Sequence, residues 1–289
     1  MNSPMTFDRR SFLKSGLALG TANLLPQAMA QTKARINPPA LFENIPGGYH
    51  VLPSGGVFSG AAIAMPGHEI VHALMKPWMP LKDAWGFIET YLKGLGRPVQ
   101  ALCGMELRIP QQLTPDAFRT FNGPYVEQLQ KWELLLGRYS AVCRTNVAPA
   151  RDIPKEPSVH AFSYCVPSSH NATTFCVSGA ADIDARGKPV AEGDVSPAGM
   201  KKRLTHCVEV ITGRLEEIQL DWSEVTHTDL CVVQDIPGLW DSVIAPGLQP
   251  ATRHGVRVHL ARPPIVGSEV ELECRGVRQE ITLAGGQTR

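Results

Sequence analysis

The chain is 289 residues long, 43% hydrophobic, and carries a formal net charge of +1. That length suits two domains of roughly 100–150 residues, each with its own core. The near-neutral balance, with no basic cluster after the first forty residues, argues against nucleic acid as the main partner; the 24 prolines and 26 glycines favour many turns over long helices.

Residues 1–30 contain the parts of an export signal in order. Asp8-Arg9-Arg10-Ser11-Phe12-Leu13-Lys14 is a twin-arginine pattern, an apolar stretch covers 16–25, and Ala28-Met29-Ala30 offers small residues for cleavage. The expectation is a periplasmic protein, exported folded, that begins near Gln31. No later segment approaches the roughly 20 apolar residues of a membrane span, so no membrane contact is expected after cleavage. Residues 31–46 read as a linker.

The first unit is expected over 47–165. It opens with strands over 57–62 and 70–74. A helix follows over 81–95, with an apolar stripe of Trp85, Ile88, Leu92 and Leu95, stopped by Gly96 and Pro98. A strand over 101–109 leads to Thr114-Pro115-Asp116, a helix start with a capping hydroxyl and an early proline. Phe118, Phe121, Tyr125, Leu129 and Trp132 form the stripe of this second helix, and Gly123-Pro124 predicts a kink or break in it. Strands over 141–148 and 158–166 close the unit.

The second unit, 166–289, repeats the order. A strand over 174–178 precedes a turn at Arg186-Gly187-Lys188-Pro189. A helix over 199–215 carries Leu204, Val208, Ile211 and Leu215, and a strand covers 225–233. A short helical region over 239–247 is followed by alternating Val256, Val258 and Leu260, which predict a half-buried strand opened by Arg253. A last strand covers 269–274.

Two echoes tie the units together. Val57-Phe58-Ser59-Gly60-Ala61-Ala62 returns as Cys176-Val177-Ser178-Gly179-Ala180-Ala181, and Cys143-Arg144-Thr145-Asn146-Val147 is matched by Thr252-Arg253-His254-Gly255-Val256. An echo at this distance marks a duplicated domain rather than a solenoid, whose period is roughly 20–50 residues. The fold class expected is α+β: two tandem β-β-α-β-α-β-β domains forming an α/β sandwich, with helices on one face of each mixed sheet. The opposite, apolar faces should be buried against another copy. The seven cysteines lie mostly in apolar runs without CxxC spacing, and so read as buried small hydrophobes. The nine histidines show no metal-binding spacing; His68, His72, His227 and His259 read as surface or strand residues.

The order of these motifs resembles the Rid family of small imine deaminases, over about residues 47–280 in two tandem copies. Ala251-Thr252-Arg253-His254-Gly255-Val256 and Cys143-Arg144-Thr145-Asn146-Val147 stand where the family has its fifth-strand arginine segment. Val270-Glu271-Leu272-Glu273 stands for its last strand, and Phe121-Asn122-Gly123-Pro124-Tyr125 for its asparagine helix segment. The resemblance implies a chorismate-mutase-like fold and hydrolysis of carboxylate-bearing enamines or imines, 2-iminopropanoate-like or 2-aminomuconate-like, to a 2-oxo acid and ammonia. It calls for no cofactor and no metal, and implies a homo-oligomer with a trimer-like arrangement of domains.

On that resemblance, Arg253 and Arg144 are the candidate carboxylate anchors, since a guanidinium grips a carboxylate bidentately. Glu271 is the candidate base for a water. Ser59, Gly60, Asn122, Ser178 and Gly179 are candidate substrate contacts. Neither unit holds the full set: His160 stands at the position of Glu271 in the first, and Trp240-Asp241-Ser242 replaces the asparagine segment in the second. The halves are expected to complement each other in composite sites. The alternative is a non-catalytic protein that binds small carboxylates on a duplicated scaffold.

Overall fold

The structure, a computed structural model, describes residues 41–54, 57–235 and 237–284. The twin-arginine segment, its cleavage site and most of the expected linker lie outside the described residues. In chain order the elements are β1 (Phe42–Asn44), β2 (Tyr49–Leu52), β3 (Ala61–Ala64), β4 (His68–Pro80), α1 (Leu81–Gly94), β5 (Leu102–Arg108) and α2 (Pro115–Lys131). A small hairpin, β6 (Leu135–Leu136) and β7 (Tyr139–Ser140), precedes β8 (Cys143–Pro149) and β9 (Ser158–Pro167). Then come β10 (Phe175–Ala181), α3 (Pro197–Glu217), β11 (His227–Val232), β12 (Arg257–His259), β13 (Ala261–Arg262), β14 (Val270–Gly276) and β15 (Gln279–Ala284).

The helices form where expected. Thr114 Oγ1 accepts from the Ala117 N–H at 3.2 Å, and Ser196 Oγ from the Gly199 N–H at 3.2 Å, so each proline-led helix has a side-chain cap. Ile88 and Leu92 of α1, Tyr125 and Leu129 of α2, and Leu204, Ile211 and Leu215 of α3 are buried. Gly123-Pro124 does not break α2, which runs on to Lys131. Leu95 is exposed because the helix has already ended. Over 239–247 the chain makes a π-turn, Trp240–Ile244, and one further helical turn.

Two sheets carry the fold. The first has the order β13-β8-β5-β9-β4-β15, the second β1-β2-β3-β10-β14-β11-β12. Each contains the same four-strand run, β8-β5-β9-β4 in one and β12-β11-β14-β10 in the other. In both runs the first pair is parallel and the others antiparallel. The sheets also exchange strands across the 165/166 boundary: β1–β3 extend the second sheet through β10, and β15, which no sequence signal announced, extends the first by pairing parallel to β4. The Ser59 and Ser178 echo therefore does not mark equivalent strands. The strand in β10's position in the first sheet is the 13-residue β4, whose long ladder with β9 claims the place. Phe42–Asn44, expected in the linker, is a strand paired with β2.

Strand alternation sends one set of side chains to the helices and the other to the opposite sheet. Met105, Leu107 and Phe162 pack with α1 and α2, while Val270, Leu272 and Cys274 pack with α3. The remaining faces meet each other within the chain, and they are not the apolar surfaces expected. Arg275 of β14 stands 2.6 Å from Asp229, 2.7 Å from Glu280, 3.3 Å from Glu273 and 3.7 Å from Glu106 of the first sheet. His72 and Arg108 also face Glu106, at 3.3 and 3.6 Å, and His259 bonds Asp229 at 2.8 Å. All seven cysteines are buried and unpaired. Val258 and Leu260 are exposed, because β12 is a short strand at the sheet's edge.

Two stability predictions follow from this layer. Arg275→Gln strands Asp229 and Glu106 in a dry site, and breaking such a pair costs about 3–5 kcal/mol. Urea unfolding should show that loss; a loss below about 1 kcal/mol would sink the role given to Arg275. Burial also lowers the pKa of His72 to about 3 and of His160 to about 2, so both stay neutral in the folded protein. Their unfolded forms take up a proton below pH of about 6.5. The stability they contribute is therefore complete above that pH and is lost as the pH falls, by up to about 1.4 kcal/mol per pH unit for each histidine. Buried Glu271, with its pKa at about 8, and Glu273, whose pKa burial also raises, act in the opposite sense over the same range, so a substitution isolates the histidine effect: between pH 7 and pH 5 the urea midpoint of the wild type should fall relative to that of a His160→Gln variant. Parallel pH profiles for the two chains would refute the assignment.

Candidate functional site

Where β8 of the first sheet runs beside β10 of the second, the bonds that join them are side chain to backbone. Ser178 Oγ accepts from the Arg144 N–H at 2.9 Å and donates to the Ser59 carbonyl at 2.5 Å. The Ser178 N–H donates to the Gly60 carbonyl at 3.1 Å, and the Gly179 N–H to Thr145 Oγ1 at 3.1 Å. The two Ser-Gly pairs thus lie against each other. Their polar groups staple strands together and are not directed at a ligand. Gly60 packs on Leu52, where a Cβ would collide.

The register of β10 against β14 shifts between Val177 and Ala180, which places Ser178-Gly179 in a bulge. The bulge opens a cavity of about 260 Å³, and the residues around it include Arg144, Asn146, Gly179, Arg214, Glu271, Phe58 and Phe118. A Cβ at Gly179 would strike Glu271 and Thr145, so only glycine lets the Glu271 carboxyl occupy this space.

Arg144 enters from β8. Its Nη1 donates to Asn122 Oδ1 of α2 at 2.9 Å, and its guanidinium lies 4.8 Å from the Tyr125 ring centre, 5.5 Å from Phe118 and 5.9 Å from Phe58. Asn122 aims the guanidinium, and the rings attract it through their π faces. Burial lowers the pKa of Arg144, with Tyr125 and Glu271 acting the other way.

Glu271 enters from β14. Burial raises its pKa to about 8, against the backbone N–H of Asn146 and the nearby charges of Arg108 and Arg144. The carboxyl is therefore mostly protonated at neutral pH. Its Oε2 has no hydrogen-bond partner, and neither polar atom of the buried Asn146 amide has one. Orphaned atoms also occur in the charged layer, at His72, His160 and Arg275, but those at Glu271 and Asn146 adjoin a cavity, where a ligand can supply the bonds.

The structure thus brings together Arg144, Asn122, Gly179 and Glu271 from both halves, with Ser59, Gly60 and Ser178 as their supports. Arg253 is not brought to the cavity. It sits in a short 3-10 turn ahead of β12, exposed, and donates to the Ser223 carbonyl at 3.1 Å and to His254. The strand it was expected to open starts only at Arg257. His160, opposite the other sheet, joins the charged layer 3.7 Å from Glu106 and stacks edge-on with Trp78 and His259. Sequence reasoning passed over Asn146 and Arg214. Asn146 had a signal: it is two residues from Arg144 in a strand and so shares its face. Arg214, in the last turn of α3, had none, and Phe118 was read as core.

No group of three or more His, Cys, Asp or Glu that could hold a metal occurs among the described residues. No helix among them is long and apolar enough to cross a membrane.

Residues 41–281 match the family model described as 2-aminomuconate deaminase CnbZ. Over 245 residues the chain is 34% identical to the 2-amino-5-chloromuconate deaminase of Comamonas testosteroni, covering 82% of this chain and 97% of that one. Among solved structures it is similar to a chorismatase, at 12% identity and a TM-score of 0.41 over 78% of this chain and 80% of that one. A putative endoribonuclease of Thermotoga maritima is similar at 18% identity and a TM-score of 0.28, over 39% of this chain and 84% of that one. The chain is an enzyme of the deaminase class, acting on a C–N bond. It belongs to the 2-aminomuconate deaminase family CnbZ.

Proposed function

We propose that the chain hydrolyses a 2-aminomuconate-like enamine to the 2-oxo acid and ammonia in the cavity between β8 and β10. One observation carries the residue assignment: Arg144 from the first half and Glu271 from the second line one space, where burial raises the pKa of the Glu271 carboxyl to about 8.

Arg144, oriented by Asn122, binds the carboxylate next to the reacting carbon. Protonated Glu271 gives its proton to the enamine β-carbon; the C=C pair forms the new C–H bond and the nitrogen lone pair forms C=N. The resulting Glu271 carboxylate takes a proton from water as the water oxygen bonds C2, and the C=N pair returns to nitrogen. Glu271 then protonates that nitrogen, the C–N bond breaks and ammonia leaves. The hydroxyl proton returns to Glu271 as C=O forms. A single carboxyl whose pKa lies near the working pH serves every transfer. The apolar wall, which includes Phe58 and Phe118, keeps bulk water from the intermediate.

Ammonia release from a freshly generated amino- or iminocarboxylate tests this reading. Glu271→Gln should lower kcat at least about 100-fold while analogue binding persists. Arg144→Ala should abolish binding, with Arg144→Lys a poor substitute because it lacks the fork. Arg253→Ala should stay within about threefold of wild type, having removed only an exposed side chain. Because Glu271 must start protonated, kcat/KM should fall as pH rises through about 8. Full activity in Glu271→Gln, or a rate that keeps rising to pH 10, would move the chemistry elsewhere.

The N-terminal pattern supports a periplasmic location, reached folded by the twin-arginine route. Mass spectrometry of the periplasmic fraction should recover a chain beginning near Gln31, and an uncleaved cytoplasmic chain would refute this.

A further inference from the structure

The cavity holds a second guanidinium that the mechanism above does not use. Arg214 reaches it from the last turn of α3, half-buried, with Nη1 donating to the Ser178 carbonyl at 2.6 Å and the Gly179 carbonyl at 3.3 Å. Its other N–H groups have no protein partner among the described residues. No carboxylate among those residues lies within ion-pair distance of Arg214 or of Arg144.

This contrasts with the rest of the interior. Arg275 and Arg203 are buried like Arg144, and each stands against a carboxylate: Asp229 and Glu280 for the first, Asp182 for the second. Removing an unpaired cation from water is costly. Arg144 and Arg214 share one mostly apolar cavity with Glu271 as the carboxyl group beside them, and burial keeps that carboxyl largely neutral. Exposed Glu217, three residues on in the same helix, acts on Arg214 only from beyond ion-pair distance, so two cations in one binding space, neither in an ion pair, suit two negative charges from the ligand. The fully buried Asn146 amide, with both polar atoms unpaired, adds a donor and an acceptor on the wall of the same space.

We propose that Arg214 is the specificity residue for a second carboxylate: the substrate binds as a dicarboxylate, one end on Arg144 and the other on Arg214. At about 260 Å³ the cavity is smaller than the roughly 300–1,000 Å³ of sites for drug-sized ligands, which suits a short-chain diacid. The inference rests on the deaminase reading for the identity of the site, but it has its own measurement.

The probes are trans,trans-muconate and sorbate, which share a six-carbon diene skeleton and differ in a carboxylate against a methyl at one end. In calorimetry the wild-type chain should bind muconate about 100-fold tighter than sorbate, the scale of one charge-assisted contact. Arg214→Gln should bring that ratio to within about threefold by weakening muconate, while Arg144→Gln should weaken both. If Arg214→Gln weakens both probes equally, Arg214 only props the Ser178-Gly179 bulge and the proposal falls. It also falls if the ratio stays at the wild-type value. Should Arg214→Gln not fold, Arg214→Lys decides: it keeps the charge without the fork, and its ratio should drop to about ten, an unchanged ratio overturning the proposal. Ammonia release separates this from the parent reading. A chain that prefers muconate through Arg214 but deaminates no enamine refutes the function and keeps the anchor. An active deaminase whose Arg214→Gln variant still prefers muconate does the reverse.

Discussion

Arg275 holds the two sheets to each other. Its guanidinium reaches carboxylates on β11 and β14 of its own sheet and, across the gap, Glu280 on β15 and Glu106 on β5. Burial would suppress its charge, but the surrounding acids raise its pKa further. The same cation, with Arg108, helps lower the pKa of Glu106 although burial opposes ionisation there. A buried network of this kind is poor evidence for high stability, since apolar packing could serve as well. What it does provide is register: mutual hydrogen bonding fixes which strand faces which, and an apolar face could slide. The cavity between β8 and β10 depends on that register, because it needs Arg144 of one sheet and Glu271 of the other within one small space.

The molecule uses the same residue types in two electrostatic regimes. In the layer between the sheets, cations and anions are matched. Histidines there are held neutral, and burial, with Glu106 and Asp229 nearby, raises the pKa of Glu273. At the cavity the matching stops. Two arginines have no carboxylate within ion-pair distance, and Glu271 Oε2 and the side-chain amide of Asn146 have no hydrogen-bond partner. Paired charges hold a structure together, whereas unpaired ones store affinity that a ligand can release. The contrast supports the candidate site independently of any motif.

Much of the local structure was legible in the sequence. The capped, proline-led starts of α2 and α3, the apolar stripes and the alternation in β5, β9 and β14 are short-range patterns. What was not legible depends on long-range competition. The Ser59 and Ser178 segments look alike, yet one precedes an added strand and the other lies in a central one, because the longer β4 took the central position. β15 pairs with a strand some 200 residues away, which no periodicity can announce. Arg253 matched a motif, but the chain turns in a 3-10 segment there and enters its strand four residues later. Asn146 could have been found by strand alternation from Arg144. Arg214 could not, since one arginine on an amphipathic helix is usually a solvated residue.

The incomplete residue sets in the two halves follow from this geometry. Arg144 and Asn122 come from one half, Gly179 and Glu271 from the other, and the seam joins them. A glutamate at His160 would gain nothing, because that position faces the charged layer, where Glu106 already supplies an anion and a further one would only repel it. An asparagine in the 239–247 segment would have no arginine to aim, because Arg253 points to the Ser223 carbonyl on the outside. Each departure from the doubled pattern lies where the partner it needs is missing. The exchange of strands and the charged layer make the two halves one body around a composite cavity.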